Sequence, residues 1–284
     1  MRSFELQGHR GARGLFAENT LPGFAAAMAV GIDSIELDIA VTADGVAVVV
    51  HDPVLNADLT RGPDGAFLRQ AGPAVVRLTL AQLSRYDVGR ARPASPAALA
   101  HPCQQSFDGA TIPTLDAVLA LTAASGLRID AELKTDPARP DLAVSPQAMA
   151  EAVMAAAKAR DAASRLVVRS FDWRGLHHLQ KAYPDLALAW LTDRAAGLDT
   201  PERVAVAAGA ARVQPTWAPH FAALSEASLA RAHGLGLRVV PWTVNAAADL
   251  ADLVSLGVDG VCTDRPDLAR AAMRTAGLPL PPCR

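Results

Sequence analysis

Two carboxylates stand two residues apart in the apolar run SIELDIAV: Glu36 and Asp38. In an extended chain side chains alternate between faces, so these two share one face while Ile35, Leu37 and Ile39 take the other. Such a run is expected to be mostly buried. Carboxylates held together there repel unless a cation lies between them. Glu132 and Lys134 repeat the spacing in Ala131-Glu132-Leu133-Lys134. Three carboxylates with no thiolate make a hard oxygen set, which suits Mg²⁺, Ca²⁺ or Mn²⁺ better than Zn²⁺. Two histidines close strand-like runs, in His9-Arg10-Gly11 and in His51-Asp52. A divalent cation with Arg10 and Lys134 cradles an anionic phosphoryl group. Histidines beside such a cradle supply one general base and one general acid. The residues thus point to a metal-dependent phosphoester hydrolase. A structural ion pair with a nearby carboxylate is the plainer alternative for Lys134.

These side chains need elements that bring them together. Strand-like runs occur at Phe4–His9, Ser34–Val41, Val46–His51, Leu127–Leu133, Leu166–Phe171, Leu186–Leu191, Ala211–Gln214, Leu237–Val244 and Val258–Thr263. Ala/Leu-rich helical segments lie between most of them, a rhythm that predicts a parallel sheet with helices outside. The second and third runs are separated only by Thr42-Ala43-Asp44-Gly45, too short for a parallel crossover, so they form a hairpin. Setting that extra strand aside leaves eight β–α units, the count of a (β/α)₈ barrel with its site at the carboxyl ends of the strands. The doubly wound alternative lacks a G-x-G-x-x-G turn after its first strand. If the turn occupies Thr42–Gly45, opposed hairpin residues have numbers summing to 87, which sets His51 across from Glu36. From about Asp52 to Ile112 the rhythm breaks. The reading is one barrel domain over 1–284, with 52–112 as an insertion capping its mouth.

Composition narrows the class. The chain has 284 residues, 51% hydrophobic, with 27 basic and 29 acidic side chains and a net charge of −2. That apolar content supports a sizeable core and excludes a disordered chain. The charge balance argues against a nucleic-acid partner. No uncharged apolar run is long enough to span a membrane. The N-terminus carries no apolar leader, and the three cysteines, Cys103, Cys262 and Cys283, form neither a metal spacing nor a disulfide framework. A cytoplasmic protein acting on a small molecule is therefore expected.

Several motifs are closer to one family than chemistry alone requires. HRGARGLFAENTLPGF, SIELDIAVTADGVAVVVHDP, IPTLDAVL, AELK, VVPWTVN and GVDGVCTDRP together resemble the bacterial glycerophosphodiester phosphodiesterases, from about Gly8 to Pro266. The resemblance implies a phosphodiesterase barrel of the phospholipase C-like type. It implies hydrolysis of glycerophosphodiesters to sn-glycerol 3-phosphate and an alcohol, in lipid and glycerol metabolism. It implies one divalent cation, Mg²⁺ or Ca²⁺ with Mn²⁺ as a further option, on Glu36, Asp38 and Glu132. His9 and His51 become acid and base, Arg10 and Lys134 phosphate contacts, and Trp242 a wall on the substrate's glycerol or alcohol side. For Trp242 a core aromatic is the even alternative. Glu18 is assigned to orienting Arg10, and Asn19 to starting the next helix. Ala12 and Ala17 stand where the family usually has glycine and proline. Leu59-Thr60-Arg61-Gly62 matches the family's Arg-Thr-Thr stretch only loosely. The rival activity is a related phosphodiesterase acting on lysophospholipids or phosphoinositides. Its lipid tails need an apolar groove, which an insertion carrying Arg61, Arg69, Arg77, Arg85, Arg90 and Arg92 does not advertise. A glycosidase using a carboxylate pair leaves the histidines and Lys134 without roles.

Overall fold

In the computed structural model, which describes residues 4–193 and 200–284, eight parallel strands make one sheet. In chain order these are β1 (Glu5–Gly8), β2 (Ser34–Val41), β4 (Arg128–Leu133), β5 (Leu166–Ser170), β6 (Ala187–Thr192), β7 (Thr216–Pro219), β8 (Arg238–Val239) and β9 (Gly260–Thr263). Their order across the sheet is β8-β7-β6-β5-β4-β2-β1-β9. Backbone bonds then join the two outermost strands: Asp259 N donates to Val239 O at 2.9 Å, Cys262 N to Pro241 O at 2.9 Å, and Val244 N to Cys262 O at 3.0 Å. The sheet curls into the expected (β/α)₈ barrel. The remaining strand, β3 (Ala47–Val49), pairs antiparallel with β2.

The apolar core lies outside the barrel wall. Ile35, Leu37 and Ile39 point outward and are fully buried in one cluster with Val118, Leu119, Met149 and Val153 from the surrounding helices. Each such side chain contributes roughly 1.5–3 kcal/mol by leaving water. The first helix, α1 (Leu21–Val30), is capped by Thr20, whose hydroxyl accepts from Gly23 N at 3.1 Å, with Pro22 in its first turn. Asn19, expected to start that helix, does not cap it, because its side chain is engaged elsewhere.

The barrel interior is polar on one side, where barrels of this kind are usually filled by branched apolar residues. Glu5 sits between Arg128 and Arg238. The Gln7 amide donates to Glu5 and Asp130, both at 3.1 Å, and accepts from Arg169 Nη1 at 3.0 Å. Burial raises the cost of ionising Glu5, yet the two arginines outweigh it and hold the carboxyl below its ordinary value. Buried charge is tolerated here because it is paired and bridged.

Two expectations need correction. The seventh strand is Thr216–Pro219, not Ala211–Gln214. Arg212 and Gln214 are exposed, whereas Thr216, Trp217, Ala218 and Pro219 are buried. Flanking prolines hide this strand in the sequence, but a parallel ladder needs only their carbonyls there: Pro215 O and Pro219 O accept from Arg238 N and Trp242 N, both at 3.0 Å. The hairpin register also differs. Ile39 faces Val49 and Val41 faces Ala47, so paired numbers sum to 88. Thr42 N donates to Val46 O, which leaves a three-residue turn ending on Gly45 at φ 82°. His51 therefore does not stand opposite Glu36 across a ladder. It reaches the site because regular pairing ends at Val49 and the chain bends.

The hairpin separates two cores. Ile39, Val41, Ala47 and Val49 join the main cluster, while Ala40 and Val48 face a second one with Leu55, Val75, Leu83 and Ile112. Segment 52–112 thus has its own small core. Three of its arginines are paired internally: Arg61 with Asp87 and Asp108, Arg90 with Asp108, and Arg92 with Asp58.

Candidate active site

Neighbouring strands set the carboxylates side by side. Asp38 on β2 is the register partner of Glu132 on β4. Glu36, Asp38 and Glu132 are all buried, and each brings an oxygen to within 4.8 Å of the others. Burial, and next the charge of Asp38, push the Glu36 carboxyl up to about 8. Asp38 moves the other way. Burial opposes its ionisation, but Lys134, Arg10 and His51 outweigh that and hold it well below the usual carboxylate range. Lys134 Nζ is 2.7 Å from Glu132 Oε1 and 3.3 Å from Asp38 Oδ1, so the ion pair considered for it from sequence is present. Asp38 Oδ1 nevertheless accepts no well-aligned hydrogen bond. A buried carboxylate oxygen left without a well-aligned donor, within reach of two further carboxylates, fits a hard divalent cation.

The loop after β1 is built around two residues with left-handed backbone, Arg10 at φ 50° and Asn19 at φ 53°. Non-glycine residues are uncommon there and such strain gathers at functional sites. Arg10 gives its backbone N–H to Glu36 at 3.0 Å, its Nη1 to Glu18 at 2.8 Å, and sets its Nε 3.2 Å from Asp38. The orienting part expected of Glu18 is thus visible. Asn19 Nδ2 donates to Asp38 Oδ2 at 2.8 Å, which fixes that carboxylate instead of capping a helix. Ala12 is buried and, unlike Gly11 at φ 92°, keeps a negative φ, so its position does not call for glycine.

Each histidine is clamped by a carboxylate through Nδ1. His9 Nδ1 lies 2.6 Å from Asp264 Oδ1, and His51 Nδ1 lies 2.8 Å from Asp52 Oδ1. A carboxylate only accepts, so each Nδ1 carries a proton and each Nε2 is left outside the clamp as the working atom. His9 Nε2 is 3.8 Å from Glu36 Oε2. Burial pushes the His9 imidazole below its ordinary value although Asp264 pulls it up. Arg13 Nε also donates to Asp264 Oδ1 at 2.9 Å, and Asn245 Nδ2 to Asp264 Oδ2 at 2.7 Å.

One pocket of about 140 Å³ is lined by His9, Arg10, Glu36, His51, Glu132, Lys134 and Trp242; Asp38, clustered with Glu36 and Glu132, is not among its lining residues. The Trp242 ring leans edge-on against Phe171 at 5.2 Å and His220 at 5.4 Å, and its Nε1 donates to Ala218 O at 3.0 Å. It is half-buried and forms pocket wall, so the core-aromatic alternative does not describe it fully. Sequence reasoning gave no role to Asp264, Arg13 or Asn245. Asp264 lies 255 residues from His9, and the only available signal was its place in the motif GVDGVCTDRP. Arg169, on the pocket floor, was also missed.

Comparison with known proteins places the whole chain beside one family. A model of the glycerophosphoryl diester phosphodiesterase family matches residues 9–268. A glycerophosphodiester phosphodiesterase of Caldanaerobacter subterraneus subsp. tengcongensis is 28% identical over 269 residues, 95% of this chain and 97% of that protein. The crystal structure of a Silicibacter pomeroyi protein, provisionally assigned as a glycerophosphoryl diester phosphodiesterase, matches with a TM-score of 0.90 at 35% identity, covering 98% of this chain and 95% of that one. An Oleispira antarctica phosphodiesterase, solved in complex with the product sn-glycerol-3-phosphate, shares the fold with a TM-score of 0.73 at 23% identity, covering 95% of this chain and 96% of that one. Among the described residues no helix is long and apolar enough to cross a membrane.

Proposed function

This chain belongs to the glycerophosphoryl diester phosphodiesterase family and is an enzyme of glycerophosphodiester hydrolysis; on that premise we propose that it releases sn-glycerol 3-phosphate and an alcohol, using one divalent cation and two histidines. Glu36, Asp38 and Glu132 hold the cation, which when bound supplies Lewis acidity toward a phosphoryl oxygen. Mg²⁺, Ca²⁺ and Mn²⁺ all suit this oxygen set. Arg10, steadied by Glu18, and Lys134, steadied by Glu132, carry positive charge to the phosphate.

His9 takes the proton of the nucleophile, either water, which yields sn-glycerol 3-phosphate directly, or the substrate's own 2-hydroxyl, which yields a cyclic phosphate that water then opens to the same product. Burial keeps its imidazole neutral near pH 7, and Asp264 holds the tautomer that leaves Nε2 free to accept. His51, with Nδ1–H on Asp52, acts as the acid in its doubly protonated form and gives the Nε2 proton to the departing alcohol oxygen. Trp242 packs beside the glycerol end of the substrate. Segment 52–112, with its small separate core, acts as an insertion over the rim on the His51 side.

The observation that carries this reading is that one pocket is lined by two carboxylate-clamped histidines and by Glu36 and Glu132, which cluster with the buried Asp38. The test is an assay for sn-glycerol 3-phosphate release from glycerophosphocholine and glycerophosphoethanolamine, after chelation and after return of Mg²⁺, Ca²⁺ or Mn²⁺. Metal-restored release from both, at rates within about tenfold or about 1.4 kcal/mol of barrier, is expected. Release of phosphocholine, or full activity in metal-free enzyme, refutes the reading. A 2-deoxy substrate analogue separates the nucleophiles: it is inert if the 2-hydroxyl attacks and turns over if water does.

A further inference from the structure

Four residues, His51, Glu132, Lys134 and Phe171, line two spaces at once. One is the pocket already described. The other is a cleft of about 250 Å³ that continues from it beneath the connection 135–143, after β4. His9 faces only the smaller pocket, whereas His51 stands on the boundary. If His51 protonates the leaving oxygen, that oxygen lies within about 3 Å of it, and the alcohol must extend from there. The other spaces are poorer exits. A cavity on the insertion side of His51 measures about 30 Å³, room for little more than a water. A cleft on the far side of Phe171 shares only Phe171 and Leu191 with the pocket, and no acid–base group.

The 250 Å³ cleft has apolar walls from Pro53, Leu142, Ala143 and Phe171. Its charges beyond the catalytic pocket are Asp136 and Arg139. Asp136 accepts only the Ala138 N–H at 2.8 Å, and neither side chain has an ion-pair partner among the described residues. Within the insertion, Arg61, Arg90 and Arg92 are engaged with its own carboxylates.

We propose that this cleft receives the leaving alcohol, and that Asp136 and Arg139 at its rim favour a small dipolar alcohol bearing both an ammonium and a carboxylate. The inference rests on the function proposed above. It makes residues 135–143, and not the insertion, the determinant of head-group preference. An apolar wall accommodates the carbon skeleton, and the opposed charges meet the two ends of the dipole. A cationic alcohol keeps only the Asp136 contact, and a neutral one keeps neither.

The experiment compares kcat/KM for glycerophosphoserine, glycerophosphoethanolamine, glycerophosphocholine and the methyl ester of glycerol 3-phosphate, in metal-replete wild type, Ala143→Trp and Arg139→Glu. Wild type is expected to prefer the seryl ester. Ala143→Trp narrows the cleft, and the seryl-to-methyl ratio is expected to fall at least about thirtyfold, because the methyl group does not reach the added ring. Arg139→Glu is expected to lower the seryl-to-ethanolamine ratio about three- to tenfold, the size of an exposed charge contact reversed. Arg139 is exposed, so this second variant carries the test if Ala143→Trp does not fold. Unchanged ratios in folded variants, or an equal loss on every ester, overturn the assignment of the cleft. A wild type that releases no sn-glycerol 3-phosphate from any of the four overturns the underlying function as well, and is recognised without the variants.

Discussion

Replacing Asp264 by asparagine isolates the part of the site that sequence reasoning missed. Asp264 Oδ1 accepts from His9 Nδ1 at 2.6 Å and from Arg13 Nε at 2.9 Å, and Oδ2 accepts from Asn245 Nδ2 at 2.7 Å. Asn245 cannot turn its amide to help, because its Oδ1 already accepts the Asp264 N–H at 2.9 Å and lies 3.3 Å from the Thr263 hydroxyl. The amide introduced by Asp264→Asn must therefore aim its NH₂ at one of these donors. Aimed at His9, it stabilises the tautomer with the proton on Nε2, which cannot accept. Aimed at Asn245, it opposes two NH₂ groups and loosens the clamp. Either way the histidine loses its preset state, while the substituted side chain keeps its volume. A positioned general base is worth about 10²–10⁴-fold, and the variant should lose about 10²–10³-fold in kcat, or about 2.7–4.1 kcal/mol of barrier. The assay is sn-glycerol 3-phosphate release at saturating metal, with circular dichroism and a thermal melt to confirm folding. The pH profile adds a second readout. Burial holds His9 below its ordinary 6.5, and a base works when deprotonated, so the acid limb of kcat/KM in the wild type lies below pH 6.5. A folded Asp264→Asn enzyme within threefold of wild-type kcat would falsify the assignment of His9 as the base.

Three further outcomes are expected. Because burial and Asp38 push Glu36 up to about 8 without a cation, metal uptake at pH 7 must displace its proton; calorimetry in two buffers of different ionisation enthalpy should show release of close to one proton, and buffer-independent heats refute this. His51→Ala should lose at least about 10²-fold in kcat on alkyl esters, and much less on a p-nitrophenyl ester whose leaving group needs no acid, whereas equal losses on both rule out the acid role. Trp242→Ala should raise KM more than it lowers kcat, since the ring walls the pocket without touching a proton; a folded variant with wild-type kinetics, or one that fails to fold, argues against a binding role.

Local sequence was enough for whatever depends on alternation along one strand. The i, i+2 spacing of Glu36 and Asp38 placed both inside the barrel, because strand geometry sends alternate side chains to one face. The apolar partners Ile35, Leu37 and Ile39 fixed the outward face by the same rule. The β–α rhythm fixed the barrel, since parallel neighbours require long crossovers. Hydrogen-bond bookkeeping over a few residues was already less secure. A turn one residue shorter moved the hairpin register from a sum of 87 to 88 and removed His51 from its assigned partner. Prolines flanking the seventh strand concealed it, because a strand's missing donors matter only where the ladder requires them.

What only the tertiary structure decided is which distant side chains meet. Closure of β9 against β1 brings Asp264 to His9, and the left-handed turn at Asn19 turns that side chain onto Asp38 and away from the helix that Thr20 caps. The polar interior, with Gln7 linking Glu5, Asp130 and Arg169, arises from strands that are neighbours only in the closed sheet. Nothing in any one segment announces these contacts, because each residue looks ordinary among its sequence neighbours. Proton position, carboxylate orientation and the exit for the alcohol depend on distances of a few ångströms between chain segments. The sequence decides residue types and faces, whereas those distances come from how eight strands tilt and close around one another.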